Sequence, residues 1–205
     1  MELLAVVSVI VILVALALPV INRTLESGRD AKCMQNMQTL CRAFRLYQVD
    51  HNGALPPNAS DGSISNAQNV WTVAIRPYLG VNTEDLAKGT LAMARYLTCP
   101  SENSREVWNP PSLFWHSHYG VNGSGPTTFN FNGSEQRPSV AELSKTMMLI
   151  ETRNARSVRA RASSIATIAS RHRGFSNIVF FDGHLEKIRL ENVPASGGNV
   201  FWREY

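Results

Sequence analysis

Cysteine is scarce in this chain of 205 residues, which contains Cys33, Cys41 and Cys99 and no others. Three cysteines are too few for a disulfide-dense scaffold, in which several bridges replace a hydrophobic core. None of them forms the short paired spacings that are typical of a structural zinc site. The sequence therefore favours one globular domain with a core of its own, together with an appendage.

The sequence motifs of common enzyme classes are also missing. The chain has no GxSxG turn for a serine nucleophile, no HExxH pair for zinc and no glycine-rich loop for phosphate. A hydrolytic site would need a serine, a histidine and an acid that converge in space, and no motif points to such a group. We therefore expect a protein without enzymatic activity and without a cofactor.

Positive charge is only in slight excess, with a formal net charge of +4. The basic residues are scattered, and no basic patch interleaved with aromatic residues is visible, so we expect no nucleic-acid partner. One arginine group lies in a predicted loop, and a charged loop of this kind is usually solvated. Its members are Arg153, Arg156, Arg159 and Arg161.

A long apolar run opens the chain. From Leu3 to Ile21 it reads LLAVVSVIVILVALALPVI, and the only charged residue before position 22 is Glu2. A helix of this length matches the ~30 Å hydrocarbon core of a bilayer, so the run predicts a transmembrane helix. A cleaved signal peptide would need a basic segment before the run. A buried core helix is the other alternative, although a helix apolar on all sides is uncommon in so small a domain.

The pattern becomes amphipathic after Pro19, and no convincing break separates the two parts. We expect one helix of about fifty residues, bent at Pro19 and loosened near Gly28. The sequence Asp50-His51-Asn52-Gly53 should end it, because glycine accepts a left-handed cap. The predicted buried stripe consists of Ala31, Met34, Met37, Leu40, Cys41, Phe44 and Tyr47.

The remainder of the chain predicts a mixed head that ends in a β-hairpin. Short helices are expected at about 70–79 and 83–96, with turn-rich stretches at 58–66 and 122–133. Apolar β-prone runs at 146–151 and 177–181 predict strands, and Asp182-Gly183 should turn the second run into a strand at 184–190. The predicted fold class is α+β, with a long N-terminal helix packed on a C-terminal antiparallel sheet. Its segments are 1–22 in the membrane, 23–53 as the amphipathic continuation of the helix, and 54–205 as the head.

The opening segment ELLAVVSVIVILVALALPVINRTLES resembles that of type IV pilins and of the pseudopilins of type II secretion. The likeness lies in a glutamate, Glu2, that opens an apolar run with a proline, Pro19, near its end. RHRGFSNIVFFDGHLEKI resembles the C-terminal motif of prepilin-like proteins common in planctomycete-type bacteria: His172, nine residues, then Asp182 and Gly183. CMQNMQTLCRAFRLYQVDHNGALPP, TCPSE, SHYGVNG and RPSVAELSKTMMLIETR are similar to further segments of that group, in the same order.

This resemblance implies a pilin-like fold and a structural role as a subunit of a pseudopilus or pilus-like filament. The implied partners are membrane lipid and other pilin-like subunits, with Glu2 neutralised by the N-terminal amine of a neighbouring subunit. The implied location is the bacterial inner membrane, crossed once, with the head outside the cytoplasm. The alternative is a membrane-tethered binding module that does not assemble.

Two further expectations concern the processing of the N-terminus and the side of the membrane on which the head lies. Either the family's basic leader and its cleavage site lie upstream of Met1, or the protein is never processed. We favour the first alternative, in which a prepilin peptidase would be a further partner. Arg23, Arg29 and Lys32 follow the apolar run, so the positive-inside rule applied to the written chain puts the head in the cytoplasm. We follow the resemblance, because a missing leader would carry the charges that the rule counts.

Two groups of head residues remain open to more than one interpretation. His172, Asp182 and His184 are suitable ligands for a divalent metal, but a hairpin turn with a hydrogen-bonded histidine is the simpler account, and we predict no metal. In an oxidising compartment Cys33 and Cys99 would be able to form a disulfide from helix to head; buried free thiols are the alternative. Cys41 follows Cys33 by about two helical turns and is expected simply to pack in the core.

Overall fold

The computed structural model describes residues 2–57, 70–81, 86–102, 117–123, 142–153, 157–158, 165–195 and 201–202. The turn-rich stretch predicted at 58–66, most of that at 122–133, and three of the four grouped arginines lie outside these residues, as does the side chain of Glu2. Within them, a long N-terminal helix and a C-terminal sheet form the α+β arrangement that the sequence predicts.

Helix α1 runs from Glu2 to Asp50 and includes Pro19. It ends where the sequence predicts, because Asn52 and Gly53 adopt left-handed φ angles of 53° and 86°. The amide of Gly53 then donates to the carbonyl of Gln48 at 2.7 Å, which satisfies one of the last free carbonyls of the helix.

The two halves of α1 lie in different surroundings. Every large apolar side chain between Leu3 and Ile21 exposes half or more of its surface. These side chains are Leu3, Leu4, Val6, Val7, Val9, Ile10, Val11, Ile12, Leu13, Val14, Leu16, Leu18, Val20 and Ile21. The second half instead buries a stripe against the head. This first half is long and apolar enough to cross a membrane.

The buried stripe is rotated slightly from the predicted one. Ala31 is exposed and Met34 is only half-buried, whereas Cys33 and Asn36 are buried. The prediction was wrong for Ala31 because Asp30 and Cys33 face the head at this level of α1. From Met37 to Tyr47 the predicted members of the stripe are buried.

Five strands form the sheet: β1 (Tyr119–Asn122), β2 (Met147–Glu151), β3 (Ser157–Val158), β4 (Phe175–Phe180) and β5 (Leu185–Arg189). Their order is β3-β1-β2-β4-β5. The pairs β1–β2, β2–β4 and β4–β5 are antiparallel, as predicted, whereas the two-residue strand β3 lies parallel to β1. Three of the strands lie within two residues of the predicted runs.

Among the described residues, three short helical segments lie between α1 and strand β1. Helix α2 is short (Trp71–Ala74), and a 3-10 turn (Pro77–Leu79) follows it. The single helix predicted at 70–79 is thus interrupted, since a proline cannot donate the backbone hydrogen bond that an α-helix needs inside its length. Helix α3 (Leu86–Leu97) falls within the predicted 83–96 helix apart from its last residue, and residues 82–85 lie outside the described part.

The core lies on both sides of the sheet. Phe44, Trp71 and Leu149 belong to one cluster, which fills the space between the helices and the sheet. Ile150 and Trp202 belong to the second cluster. Strand β2 is buried along its whole length, which explains why it reads as a continuous apolar run rather than an alternating one.

Candidate functional site

The two ends of the His-x9-Asp-Gly motif lie at opposite ends of β4. His172 comes just before the strand, and Asp182 and His184 come just after it. A strand of six residues is about 20 Å long. His172 therefore cannot share a metal ion with Asp182 and His184, and the grouping considered from the sequence does not form.

A tight turn positions His172. The backbone amides of His172 and Phe175 each donate to the other's carbonyl oxygen, at 3.2 and 3.1 Å. The two residues between them, Arg173 and Gly174, have φ angles of 55° and 85°. Positive φ at both central residues is the pattern of a type I′ turn, which reverses the chain directly into β4.

The imidazole of His172 is buried between two carboxylates. Its Nε2 lies 2.9 Å from Oε1 of Glu151 in β2, and its Nδ1 lies 3.3 Å from Oδ1 of Asp30 in α1. Its side chain is 2% exposed and that of Glu151 is fully buried. One histidine thus joins the long helix to the centre of the sheet.

Two further side chains complete this ion network. Asn177 donates its backbone N–H to Oε2 of Glu151 at 3.0 Å and its side-chain amide to Oδ1 of Asp30 at 2.9 Å. Lys187 of β5 donates to the other carboxylate oxygen of Asp30. The buried carboxylate of Glu151 and the half-buried one of Asp30 are therefore both hydrogen-bonded, which is the condition under which buried charge is tolerated.

The electrostatics of the network favour the charged forms of its members. Burial alone would lower the pKa of His172, but the hydrogen bond to Glu151 and the charges of Glu151 and Asp30 outweigh it and raise that pKa. Burial alone would raise the pKa of Asp30, but hydrogen bonds from Lys187 and Asn177 outweigh it and lower that pKa. The two carboxylates thus favour the protonated form of the imidazole between them.

A disulfide lies directly beside the network. Cys33 of α1 and Cys99, which follows α3, are bonded, with their Cα atoms 5.2 Å apart. Sγ of Cys99 lies 3.6 Å from Nε2 of His172. Cys41 is the free cysteine and is buried in the core. The disulfide therefore links α1 to the head beside the residue that opens the motif.

Hydrogen bonds hold the chain around Cys99 in place. Asn36 of α1 donates to the carbonyls of Arg95 and Thr98 at 3.2 and 3.1 Å, so it caps the end of α3. The amide of Cys99 donates to Nδ1 of His118 at 3.0 Å. Burial lowers the pKa of His118 to about 4, and the charge of Arg171 acts in the same direction. The surroundings of His118 therefore favour its neutral form, whereas those of His172 favour its charged form.

The Asp182-Gly183 end of the motif forms the predicted hairpin turn between β4 and β5. The amide of Gly183 donates to the carbonyl of Phe180 at 2.9 Å, and Gly183 has a φ of 93°. Oδ1 of Asp182 accepts from the amide of His184 at 3.1 Å and lies 2.5 Å from its Nδ1. Arg45 of α1 donates to the carbonyl of Phe181 at 3.4 Å, so this end of the motif also touches the long helix.

A cleft of about 210 Å³ opens beside the buried end of the motif. It is lined by Glu26, Ser27 and Asp30 of α1, by His172, Arg173 and Phe175 at the start of β4, and by Lys187 of β5. The part of α1 that lines the cleft comes just before the buried stripe in the chain, so the cleft opens onto the Asp30 side of the ion network.

One set of potential metal ligands is present in the described part of the chain. Ligand atoms of Cys33, Cys99, Glu151 and His172 lie within 4.8 Å of one another, and all four residues are buried. The two sulfurs are bonded to each other, so the oxidised form leaves only Glu151 and His172 free to bind an ion.

Sequence reasoning missed Asp30, Glu151, Asn177 and Lys187 as members of this site. The one local signal was Glu151, a charged residue at the end of the apolar run MMLIE. The predicted assembly residues lie elsewhere on α1. Pro19 is exposed, and the backbone of Glu2 begins the helix.

Comparison of the chain with models of protein families, with curated proteins and with solved structures finds no match. The likeness to pilin-like proteins therefore rests on the sequence segments quoted above. Function has to be argued from those segments and from the geometry of α1 and the head.

Proposed function

We propose that this protein is a non-enzymatic, membrane-anchored structural subunit of the pilin or pseudopilin type. The first half of α1 would lie in the bilayer, or in the apolar core of a filament after assembly, and the head would lie outside the cytoplasm. The observation that carries this proposal is the contrast within α1: an apolar half exposed on every side, continuous with a half that packs into the head.

Exposure of the apolar half of α1 to water would be costly in free energy. Full burial of a side chain such as leucine, isoleucine or valine is favourable by roughly 1.5–3 kcal/mol. The exposed half of α1 carries such side chains on all of its faces. A helix that is apolar on every face requires an apolar environment. A bilayer supplies that environment to a single chain, and the helices of neighbouring copies would supply it in a filament.

The site described above suits a subunit whose head must not move relative to its helix. The disulfide, the His172 network and Arg45 all join α1 to the head, and they do so at different levels of the helix. Asp30 and Arg45 are about 22 Å apart along α1. A force on this part of α1 would therefore be transmitted to the head through all three links.

The disulfide also supports an extracytoplasmic head. Disulfides form and persist in oxidising compartments such as the bacterial periplasm and are rare in the cytosol. Three basic residues follow the apolar run: Arg23, Arg29 and Lys32. By the positive-inside rule they would place the head in the cytoplasm. We give more weight to the disulfide, because the charges that precede α1 in the cell are not fixed by this sequence.

Membrane location and topology are tested together in the full chain. We expect the protein to stay in the membrane fraction after alkaline carbonate extraction. Protease added to intact spheroplasts should cleave the head, and the Cys33–Cys99 bridge should be present in protein trapped with a thiol-alkylating reagent. Release by carbonate would contradict the anchor, and a head protected until the spheroplasts are lysed would contradict the topology.

Assembly is tested by the charge of Glu2. A filament subunit should lose self-association when Glu2→Ala removes the carboxylate that pairs with a neighbour's amine, because an unpaired carboxylate in an apolar helix bundle is costly. Glu191→Ala, which removes an exposed carboxylate from the head, is the matched control. Crosslinking in the membrane would measure both. A tethered binding module would be equally indifferent to both substitutions.

A further inference from the structure

The two sulfurs of the disulfide lie beside the imidazole of His172 and the carboxylate of Glu151. Cys33, Cys99 and Glu151 are at most 1% exposed and His172 is 3% exposed. Sγ of Cys99 is 3.6 Å from Nε2 of His172, which is 2.9 Å from Oε1 of Glu151. Thiolate, imidazole and carboxylate are the three ligand types that bind zinc in proteins.

These separations are close to those in a tetrahedral zinc centre. With bonds of about 2.3 Å to sulfur and about 2.0 Å to nitrogen or oxygen, two tetrahedral ligands lie roughly 3.3 to 3.8 Å apart. The sulfur–nitrogen distance already falls in this range, and the nitrogen–oxygen distance is slightly shorter. On reduction the two sulfurs would separate to a non-bonded contact, and the remaining ligand atoms, all within 4.8 Å of one another, would adjust around the ion.

The residues behind the four ligands are arranged as the outer shell of a metal site. A metal-bound histidine usually has its other ring nitrogen fixed by a carboxylate, and Nδ1 of His172, which makes no hydrogen bond to the described residues, lies 3.3 Å from Oδ1 of Asp30. A metal-bound carboxylate is usually held by a hydrogen bond, and the backbone amide of Asn177 donates to Oε2 of Glu151. Oε1 of Glu151 lies next to Nε2 of His172 and also accepts from the side-chain amide of Asn177 at 3.3 Å.

We propose that the reduced form of this protein binds one Zn²⁺ through Cys33, Cys99, His172 and Glu151, so that metal and disulfide are alternative links between α1 and the head. An external dithiol would reduce the bridge: it gives two electrons and two protons to the sulfurs and is itself oxidised to a disulfide. Zinc then displaces both thiol protons, and any proton on Nε2 of His172, to solvent. An external disulfide would restore the bridge: it takes two electrons from the thiolates and two protons from solvent, is itself reduced to a dithiol, and the ion is released.

The cleft reaches one of the four ligands from solvent. His172 and Asp30 line this 210 Å³ space, whereas Cys33, Cys99 and Glu151 do not. Entry to the site would therefore pass the ring of His172. Lys187 lies beside Asp30 and would partly offset the negative charge of two thiolates and two carboxylates. The inference does not depend on the proposed filament role, because it concerns only the head and the adjacent part of α1.

The test uses the full chain in detergent micelles, freed of metal and prepared in two states, reduced and oxidised. The probes are Co²⁺, followed by its thiolate charge-transfer absorption, and Zn²⁺, followed by competition with a chromogenic chelator. We expect one metal ion per reduced chain with tetrahedral cobalt bands. The oxidised chain has the same sequence and keeps only the thiol of Cys41, which is not one of the four ligands, so it should lose the charge-transfer band.

Substitutions assign the ligands. His172→Gln and Glu151→Gln should each weaken zinc binding by more than the 10- to 100-fold that outer-shell changes cause, and Asp30→Asn should fall within that range. Cys41→Ala removes the third thiol, and His184→Gln removes the histidine at the other end of β4. Both should bind as the unchanged protein does. Fluorescence of the buried Trp71 and Trp202 reports whether each variant is folded.

The contrary outcomes are equally specific. A reduced, folded chain that binds neither ion overturns the proposal, as does cobalt binding that survives His172→Gln or the double change of Cys33 and Cys99 to alanine. If reduction unfolds the head, added zinc should restore the tryptophan signal in the unchanged protein and in Cys41→Ala. Failure to restore it would also overturn the proposal.

Discussion

Strand β4 is anchored in opposite ways at its two ends. At its start, His172 is buried between Glu151 and Asp30, next to a disulfide. At its end, Asp182 and His184 pair as well, but each exposes 35% of its side chain. The same types of side chain therefore make a buried ion network at one end and a solvated turn at the other.

This difference in burial predicts which end of the motif contributes more to the free energy of unfolding. An exposed ion pair contributes about 0–1 kcal/mol, because water competes for both charges. A buried pair costs about 3–5 kcal/mol when one partner is removed, because the other charge is left uncompensated. We therefore expect the histidine end to hold the head on α1 and the Asp-Gly end to shape the hairpin.

Loss of the disulfide should have the largest effect. Cys33 and Cys99 are separated by 66 residues, and a bridge over a chain of that length contributes about 4 kcal/mol in the chain-entropy account. The double variant Cys33→Ala and Cys99→Ala should lower the free energy of unfolding by roughly that amount, measured by urea unfolding of the full chain in micelles with tryptophan fluorescence.

Cys41→Ala is the matched control for that variant. Cys41 is buried and unbridged, so its removal should cost only the small packing term of about 1 kcal/mol. Equal losses for Cys41→Ala and for the bridge variant would mean that the disulfide contributes no more than packing does. The stability contributed by the histidine end of β4 would then come from the ion network alone.

Neutralising Glu151 should have the next largest effect. Glu151→Gln keeps the size of the side chain but removes one of two carboxylates beside the buried imidazolium, for which we expect a loss of about 3 kcal/mol. Asp182→Asn is the same change at the exposed end, and we expect at most about 1 kcal/mol. Similar losses in the two variants, measured by urea unfolding, would remove the contrast between the ends of β4.

Local sequence patterns predicted one end of this motif and not the other. Asp182 and Gly183 are adjacent, so their turn follows from the residues themselves. The network at His172 joins residues far apart in the chain: Asn177 bonds to Asp30 across 147 positions. No spacing rule specifies such a contact, which depends on how the sheet packs against α1.

The same distinction holds for the fold. Helix α1 and strands β2, β4 and β5 have strong local patterns and were predicted within a few residues. Strand β1, YGVN, was missed because glycine and asparagine are poor strand formers and only its place in the sheet makes it a strand. The Cys33–Cys99 pairing stayed open for a similar reason, since the sequence alone does not bring α3 to α1.

Gly183→Ala should have a moderate effect with two separable parts. A φ of 93° strains any residue with a side chain, at about 1–2 kcal/mol. The added Cβ would also lie 2.8 Å from Nη2 of Arg45, although an exposed guanidinium can move away. In the Arg45→Ala background the cost of Gly183→Ala should therefore fall by a few tenths of a kcal/mol, as a double-mutant cycle would measure.

Gly28→Ala is the opposite case and serves as the control. Gly28 lies inside α1 with nothing within 4 Å of an added Cβ, so alanine should stabilise the helix by roughly 0.5–1 kcal/mol. A loss of stability at Gly28, or a gain at Gly183, would contradict the account of the two positions.

The smallest expected effect is the pH dependence of the histidine end. The pKa of His172 is raised on folding, so its contribution to stability is complete below the unfolded value of about 6.5 and is lost as the pH rises through the folded value above it. The loss is partial, because a neutral imidazole can still donate one hydrogen bond to a carboxylate. The pKa of Asp30 is lowered, so its contribution is lost only as the pH falls below about 3.8.

Urea unfolding at a series of pH values between 5 and 9 would isolate this term. The difference in unfolding free energy between the unchanged protein and His172→Gln should shrink as the pH rises above about 6.5. The difference between the unchanged protein and Asp182→Asn should stay level over that alkaline range, since the pKa of Asp182 is lowered: burial raises it, but hydrogen bonds from His184 outweigh that. If both differences in unfolding free energy changed with pH in the alkaline range, the two ends of β4 would respond to protons alike. The proposal that only the histidine end depends on a protonated imidazole would then be wrong.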